Sequence, residues 1–97
     1  MSFKEEVYAL TKRIPKGKVS SYKIIAEKLG TKAYRAVGNA LNKNINKNVP
    51  CHKVVRSDGV VGGFARGTKK KIEMLEKEGV EIKNGKIEDF GKFLFKV

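Results

Sequence analysis

Cys51 and His52 are the only cysteine and the only histidine in 97 residues, and they are adjacent. A thiolate is a strong nucleophile, and an imidazole is a common base that generates one. A lone cysteine is more often a small buried hydrophobe, but three local features argue for chemistry. Pro50 fixes the backbone angle just before the sulfur. The histidine follows at once. Cations and backbone amides dominate the vicinity, which favours thiolate over thiol. Side chains alternate along an extended chain, so His52 reaches Cys51 only across a turn or through a bridging water. A carboxylate on the other ring nitrogen would orient the imidazole, and the spacing leaves open which of the 10 acidic residues supplies it. One cysteine excludes an internal disulfide and multi-cysteine metal sites, and fits a reducing compartment. No metal or cofactor is expected.

This pair sits in a strongly basic chain, with 22 Lys and Arg against 10 Asp and Glu, a net charge of +12. Residues 1–50 hold 11 basic and 3 acidic groups, whereas residues 51–97 hold 11 and 7. A positive excess concentrated in one half favours a polyanion such as nucleic acid. A solvated lysine surface or an acidic membrane would carry the same charge. The length suits one small domain. No apolar run approaches the ~20 residues of a membrane helix, and Met1–Glu6 lacks a signal-peptide core. A soluble, cytoplasmic monomer is therefore expected.

Positioning the pair requires a scaffold, and the spacing of apolar residues outlines one. Ser2 and Glu5 form a capping box for a first helix, with Phe3, Val7, Leu10 and Ile14 on one apolar stripe. Pro15-Lys16-Gly17 breaks it, and Val19 begins an extended connector. Ser20-Ser21 caps a second helix with Ile24, Ile25 and Leu29 facing inward, stopped by Gly30. A third helix is expected from about Ala33 to Lys43, with Ala33, Ala36, Val37, Ala40 and Leu41 as its apolar residues. Arg35, Asn39, Asn42 and Lys43 stay outside. Two short helices around a Gly-containing turn, over about 21–43, read as helix-turn-helix.

Residues 44–48 read as loop, and an active-site loop spans about 49–65. Ser57-Asp58-Gly59 marks a turn, from which Val60-Val61 can pair back as a small hairpin. A fourth helix starts near Thr68, buries Ile72 and Leu75, and ends at Gly79. Lys69, Lys70 and Lys71 place three cations beside its positive end, a cost that an anion would relieve. Asn84-Gly85 turns a terminal hairpin, and Phe90, Phe93, Leu94 and Phe95 fold back on the core. The helix and hairpin together occupy about 68–97.

Pro50-Cys51-His52-Lys53-Val54-Val55 resembles the Pro-Cys-His-Arg-Val active-site signature of the O6-alkylguanine-DNA alkyltransferases. The likeness runs in consistent order over about residues 3–79. Val19-Ser20-Ser21-Tyr22 is similar to the segment leading to the family's DNA-phosphate and purine-contacting tyrosine. Arg35-Ala36-Val37-Gly38 resembles its arginine-finger helix. Asn44 stands where an asparagine braces the cysteine loop, and Gly62-Gly63-Phe64 resembles the loop over the guanine pocket. Glu78, followed by Gly79, matches the glutamate that hydrogen-bonds the active-site histidine.

The resemblance implies a mainly helical domain with small β elements, a winged helix-turn-helix-like DNA-binding domain filling residues 1–97. It implies catalytic roles for Cys51, His52, Glu78 and Tyr22. Tyr22, Arg35, Asn44, Val54, Phe64 and Ala65 would contact DNA or the flipped base, the carbonyls of Cys51 and Val54 accepting from the guanine amino group. The implied partner is double-stranded DNA containing alkylated guanine. An alkyl group would pass from O6-alkylguanine, and by extension O4-alkylthymine, to Cys51 in a single irreversible turnover.

Lys53 departs from the family's arginine, and Ala65 stands where some members have a serine. Phe64 in place of tyrosine is within family range. Many members carry a further N-terminal domain with no counterpart in these residues, which bears on stability and regulation. Two rivals follow. Alkyltransferase-like damage sensors share the domain but lack the cysteine, commonly having tryptophan there. A sequence-specific winged-helix regulator would give no reason for Cys51, His52 and Glu78 together.

Overall fold

The computed structural model describes residues 1–44 and 46–97. Of the loop read over 44–48, Ile45 lies outside the described residues. The first helix, α1 (Phe3–Thr11), opens with the expected capping box: the Ser2 hydroxyl accepts from the Glu5 amide at 3.1 Å, and the Glu5 carboxylate accepts from the Ser2 amide at 3.2 Å. Val7 and Leu10 are buried, as is Ile14 just past the helix. Phe3, one turn earlier on the stripe, is instead 38% exposed, because neighbouring elements cover the stripe only from Val7 onward.

The second helix, α2 (Tyr22–Lys28), is capped by Ser21, whose hydroxyl accepts from the Ile24 amide. Gly30 ends it at φ +75°, a left-handed conformation suited to glycine. Ile25 and Ala26 make its buried face, while Ile24 and Leu29 are only partly covered. The third helix, α3 (Tyr34–Asn42), buries Val37, Ala40 and Leu41 but leaves Ala33 exposed and Ala36 partly covered. Arg35, Asn39, Asn42 and Lys43 lie outside as expected. The apolar faces of α1, α2 and α3 meet in one core, and Tyr8 donates to the Ala40 carbonyl at 2.7 Å, tying α1 to α3.

Strand β1 (Ser20–Ser21) pairs in parallel with β2 (Val54–Val55), Ser20 opposite Val54. A parallel pair needs a long crossover, and α2 and α3 supply it. Val60-Val61 does not form an independent hairpin with β2. A turn does bring the Arg56 amide to the Val60 carbonyl, but Val60 bridges Lys86 and the Val61 amide donates to the Gly85 carbonyl. The segment thus joins the C-terminal hairpin of β3 (Ile82–Lys83) and β4 (Lys86–Ile87), whose turn residues Asn84 and Gly85 both have positive φ.

Helix α4 (Thr68–Lys77) and the short α5 (Phe90–Phe93) close a second core of Val19, Val55, Val61, Leu75, Val80, Ile87 and Phe93. The Val19 amide donates to Phe93, and the Phe95 amide to Val19, which locks the C-terminal segment beside the β1 entry. Of the three cations read beside the helix start, Lys71 is fully buried, one turn before Leu75 on the inward stripe of α4. Among the described residues no helix is long and apolar enough to cross a membrane.

Leu75 is 0% exposed in this second core. Leu75→Ala is expected to lower unfolding free energy by about 2–5 kcal/mol, and Leu75→Met by less than about 1.5 kcal/mol. Denaturant titration with unchanged slope checks both values.

Candidate active site

Cys51, His52 and Lys53 form a single 3-10 turn rather than extended chain. Pro50 leads into it at φ −81°, the Lys53 amide donates to Pro50, and the Val54 amide donates to the Cys51 carbonyl. The turn leaves Cys51 partly exposed while burying most of His52 and Lys53. Helix α4 packs against this turn and presents Glu78 from its C-terminal cap.

His52 Nε2 lies 2.6 Å from Glu78 Oε2. An ionised carboxylate only accepts, so Nε2 carries a proton, and in the neutral form of the ring Nδ1 is the nitrogen left to accept. The carboxylate is braced on its other oxygen. Gly17 donates its amide to Oε1 at 3.0 Å, and Lys53 Nζ stands 3.7 Å from the same atom while donating to the Ile14 carbonyl. Burial works to raise the Glu78 pKa, but the Gly17 amide, the hydrogen bond and charge of His52, and the charge of Lys53 outweigh it. The carboxyl is held below its ordinary range. Gly17 has φ +82°, and a Cβ there would come within 3.3 Å of the Glu78 carbonyl oxygen, so the approach requires glycine.

Asn44 reaches the sulfur directly: Nδ2 donates to Cys51 Sγ at 2.7 Å and to the carbonyls of Asn46 and Val49. Its Oδ1 accepts from the Asn46 amide, so the surrounding network sets the amide orientation. Among the described residues no direct hydrogen bond joins Sγ to the imidazole.

On the far side of the 62–65 loop, the buried Lys71 Nζ donates to the Val61 carbonyl at 2.6 Å, the Gly63 carbonyl at 3.1 Å and the Tyr22 hydroxyl at 3.3 Å. Desolvation lowers its pKa to about 8, against the opposing attraction of Cys51. Tyr22 is shifted up, first by burial and then by the charge of Cys51.

Two adjoining clefts flank the loop. One, about 630 Å³, is lined by Cys51, His52, Asn44, Phe64, Ala65 and Met74. The other, about 730 Å³, is lined by Tyr22, Arg35, Gly38, Asn39, Arg56 and both loop glycines. Tyr22 lines one cleft and Cys51 the other, while both pack against the first core. Val54 lines neither cleft, and its side chain is in the core. Three residues of the site went unread as such. Lys71 had a signal, a lysine one turn before Leu75 on an apolar stripe. Gly17 was read only as a helix breaker. Lys53, noted only as a departure from the family's arginine, stands beside the carboxylate.

Residues 2–80 match the family described as 6-O-methylguanine DNA methyltransferase, DNA binding domain. The chain belongs to this family. A methylated-DNA–protein-cysteine methyltransferase of Saccharolobus islandicus is 51% identical over 81 residues, covering 82% of this chain and 52% of the relative. A bifunctional methyltransferase/endonuclease of Picrophilus torridus is 44% identical over 84 residues, which are 84% of this chain and 28% of that protein. The chain thus spans about half, or less, of the curated relatives it matches. Among solved structures, S. pombe Atl1 in complex with damaged DNA containing O6-carboxymethylguanine superposes with a TM-score of 0.86 at 32% identity, covering 98% of this chain and 95% of Atl1. The O6-methylguanine-DNA methyltransferase of Pyrococcus kodakaraensis gives 0.73 at 39% identity, covering 82% and 47%.

A carboxyl whose folded pKa is depressed adds stability above its unfolded pKa, and that stability is lost as pH falls through the folded value. For Glu78 the ordinary value is 4.5. Glu78→Gln is expected to remove part of the acid-side loss of stability, leaving a flatter dependence below about pH 5. Thermal melts of both proteins between neutral and acid pH measure the difference.

Proposed function

We propose that this chain repairs DNA by moving an alkyl group from O6-alkylguanine, and by extension O4-alkylthymine, onto Cys51, once per molecule. The observation that carries the reading is the sulfur itself. It sits partly exposed in a cleft, accepts from Asn44, and adjoins an imidazole oriented by Glu78. His52 Nδ1 takes the thiol proton through a water. The thiolate attacks the alkyl carbon in line, the C–S bond forming as the C–O6 bond breaks, and guanine leaves with the electron pair.

Tyr22 supplies a hydrogen bond or proton to the purine, which makes the leaving group less basic. Lys71 supports this role, because its ammonium can stabilise the phenol oxygen as the proton departs. A base inside a duplex cannot reach such a cleft, so the nucleotide is extruded. Arg35 fills the vacated stack from α3, whose Gly38 on the same groove-lining face permits close approach to the minor groove. The guanine amino group donates to the carbonyls of Cys51 and Val54, and the amide of Ala65 serves the O6 side. Phe64 closes the cleft over the base. The thioether product has no neighbouring group able to hydrolyse it.

A second reading, damage recognition without transfer, is favoured by the structural likeness to S. pombe Atl1 in complex with damaged DNA, at a TM-score of 0.86. The activated surroundings of Cys51 favour transfer. Incubation with a duplex containing O6-methylguanine, followed by intact mass and peptide mapping, separates the two. The expected result is one methyl group per chain on Cys51, absent in Cys51→Ser, which still binds the duplex. Tight binding with no mass gain would leave recognition alone. Because Lys and Arg displace counterions, raising salt from about 50 to 200 mM should weaken binding by orders of magnitude; salt-independent affinity would remove the charge argument.

A further inference from the structure

Among the described residues the exposed large hydrophobic side chains are Met1, Phe3 and Tyr34. Met1 and Phe3 belong to the first residues of the chain, but Tyr34 is set within the folded surface. It occupies the first turn of α3, immediately before Arg35, and belongs to neither core. It lines the 730 Å³ groove, on the same helical stripe as Gly38 and Asn42. A Cβ at Gly38 would stand 3.9 Å from the Tyr22 ring, so this stripe of α3 faces Tyr22 across the groove.

The charged residues lining this groove are Lys23, Arg35 and Arg56, all cationic. An uncovered aromatic ring amid cations suits a ligand that is both anionic and planar. Nucleotides combine a phosphate with a stacking face. Consecutive helical residues point about 100° apart, so Tyr34 and Arg35 cannot enter the same gap between bases. They straddle neighbouring positions.

We propose that Tyr34 is a second wedge of the DNA-reading helix, stacking on the base next to the position that Arg35 fills. This rests on the duplex-binding reading above and adds a specificity element to it. The ring holds open the flank of the distorted step, so it strengthens binding to a duplex whose stacking is already weakened by a lesion. Its contribution is neutral and leaves the count of displaced counterions unchanged.

The test compares wild type with Tyr34→Phe, Tyr34→Leu and Tyr34→Ala, measuring equilibrium affinity for an O6-methylguanine duplex across a salt series. Tyr34 is exposed and outside both cores, and a melting curve verifies each fold. Tyr34→Ala and Tyr34→Leu are expected to weaken binding about 10-fold, Tyr34→Phe by no more than about twofold, with parallel salt slopes. Wild-type affinity in Tyr34→Ala, or full retention by Tyr34→Leu, would overturn stacking. Loss in Tyr34→Phe equal to that in Tyr34→Ala would assign the effect to the hydroxyl and likewise overturn it. Methyl transfer to wild-type Cys51 is read separately on the same duplex, so failure of the repair reading and failure of the Tyr34 wedge remain distinguishable.

Discussion

The 2.6 Å bond between His52 and Glu78 gathers parts of the chain that are distant in sequence. Glu78 caps the end of α4, His52 lies on the cysteine turn, and the Gly17 amide arrives from the turn after α1. A partly buried carboxylate is costly unless its oxygens are satisfied. Here the imidazole takes one oxygen, while an amide and the Lys53 ammonium attend the other. The same arrangement that satisfies the carboxylate also fixes the imidazole tautomer. Structural need and chemical use coincide in one contact.

Around that contact the fold places two surfaces in fixed relation. The parallel pairing of β1 with β2 makes α2 and α3 a crossover that starts beside Tyr22 and returns at the cysteine turn. Arg35 and Tyr34 on α3 are thereby held relative to Cys51 by a hydrogen-bonded register, and by the shared core of Ile25, Val37, Leu41 and Val54. Lys71 plays the complementary part across the 62–65 loop. Its ammonium draws in the Val61 and Gly63 carbonyls and the Tyr22 hydroxyl, so the wall between the clefts is tied to the helix that carries Glu78.

Local signals in the chain were strong where one residue type has one physical use. Ser2 with Glu5, Ser21, Gly30 and Asn84-Gly85 each specify a cap or turn, and all appear where the spacing put them. The adjacent Cys51 and His52 exposed the site, and the resemblance to a known family identified Asn44 and Glu78 as their neighbours. What stayed hidden was long-range. Nothing local distinguishes Lys71 from Lys69 and Lys70 except its phase on the α4 stripe, and its acceptors are backbone carbonyls. The Gly17 amide likewise depends on a fold that brings residues 61 positions apart together. Val60-Val61 had apolar strand character but not a legible partner, because pairing with the terminal hairpin is decided by the packing of Val61 against Leu75 and Ile87 in the second core.

The most direct test is the single-turnover rate of Cys51 alkylation by an O6-methylguanine duplex as a function of pH, in wild type and Glu78→Gln. If the oriented imidazole generates the thiolate, the variant should bind the duplex with near wild-type affinity yet react at least about 100-fold more slowly near neutral pH. The deficit should narrow as alkaline pH ionises the thiol without help. An unchanged rate and pH profile in Glu78→Gln would contradict the central role of the His52–Glu78 contact.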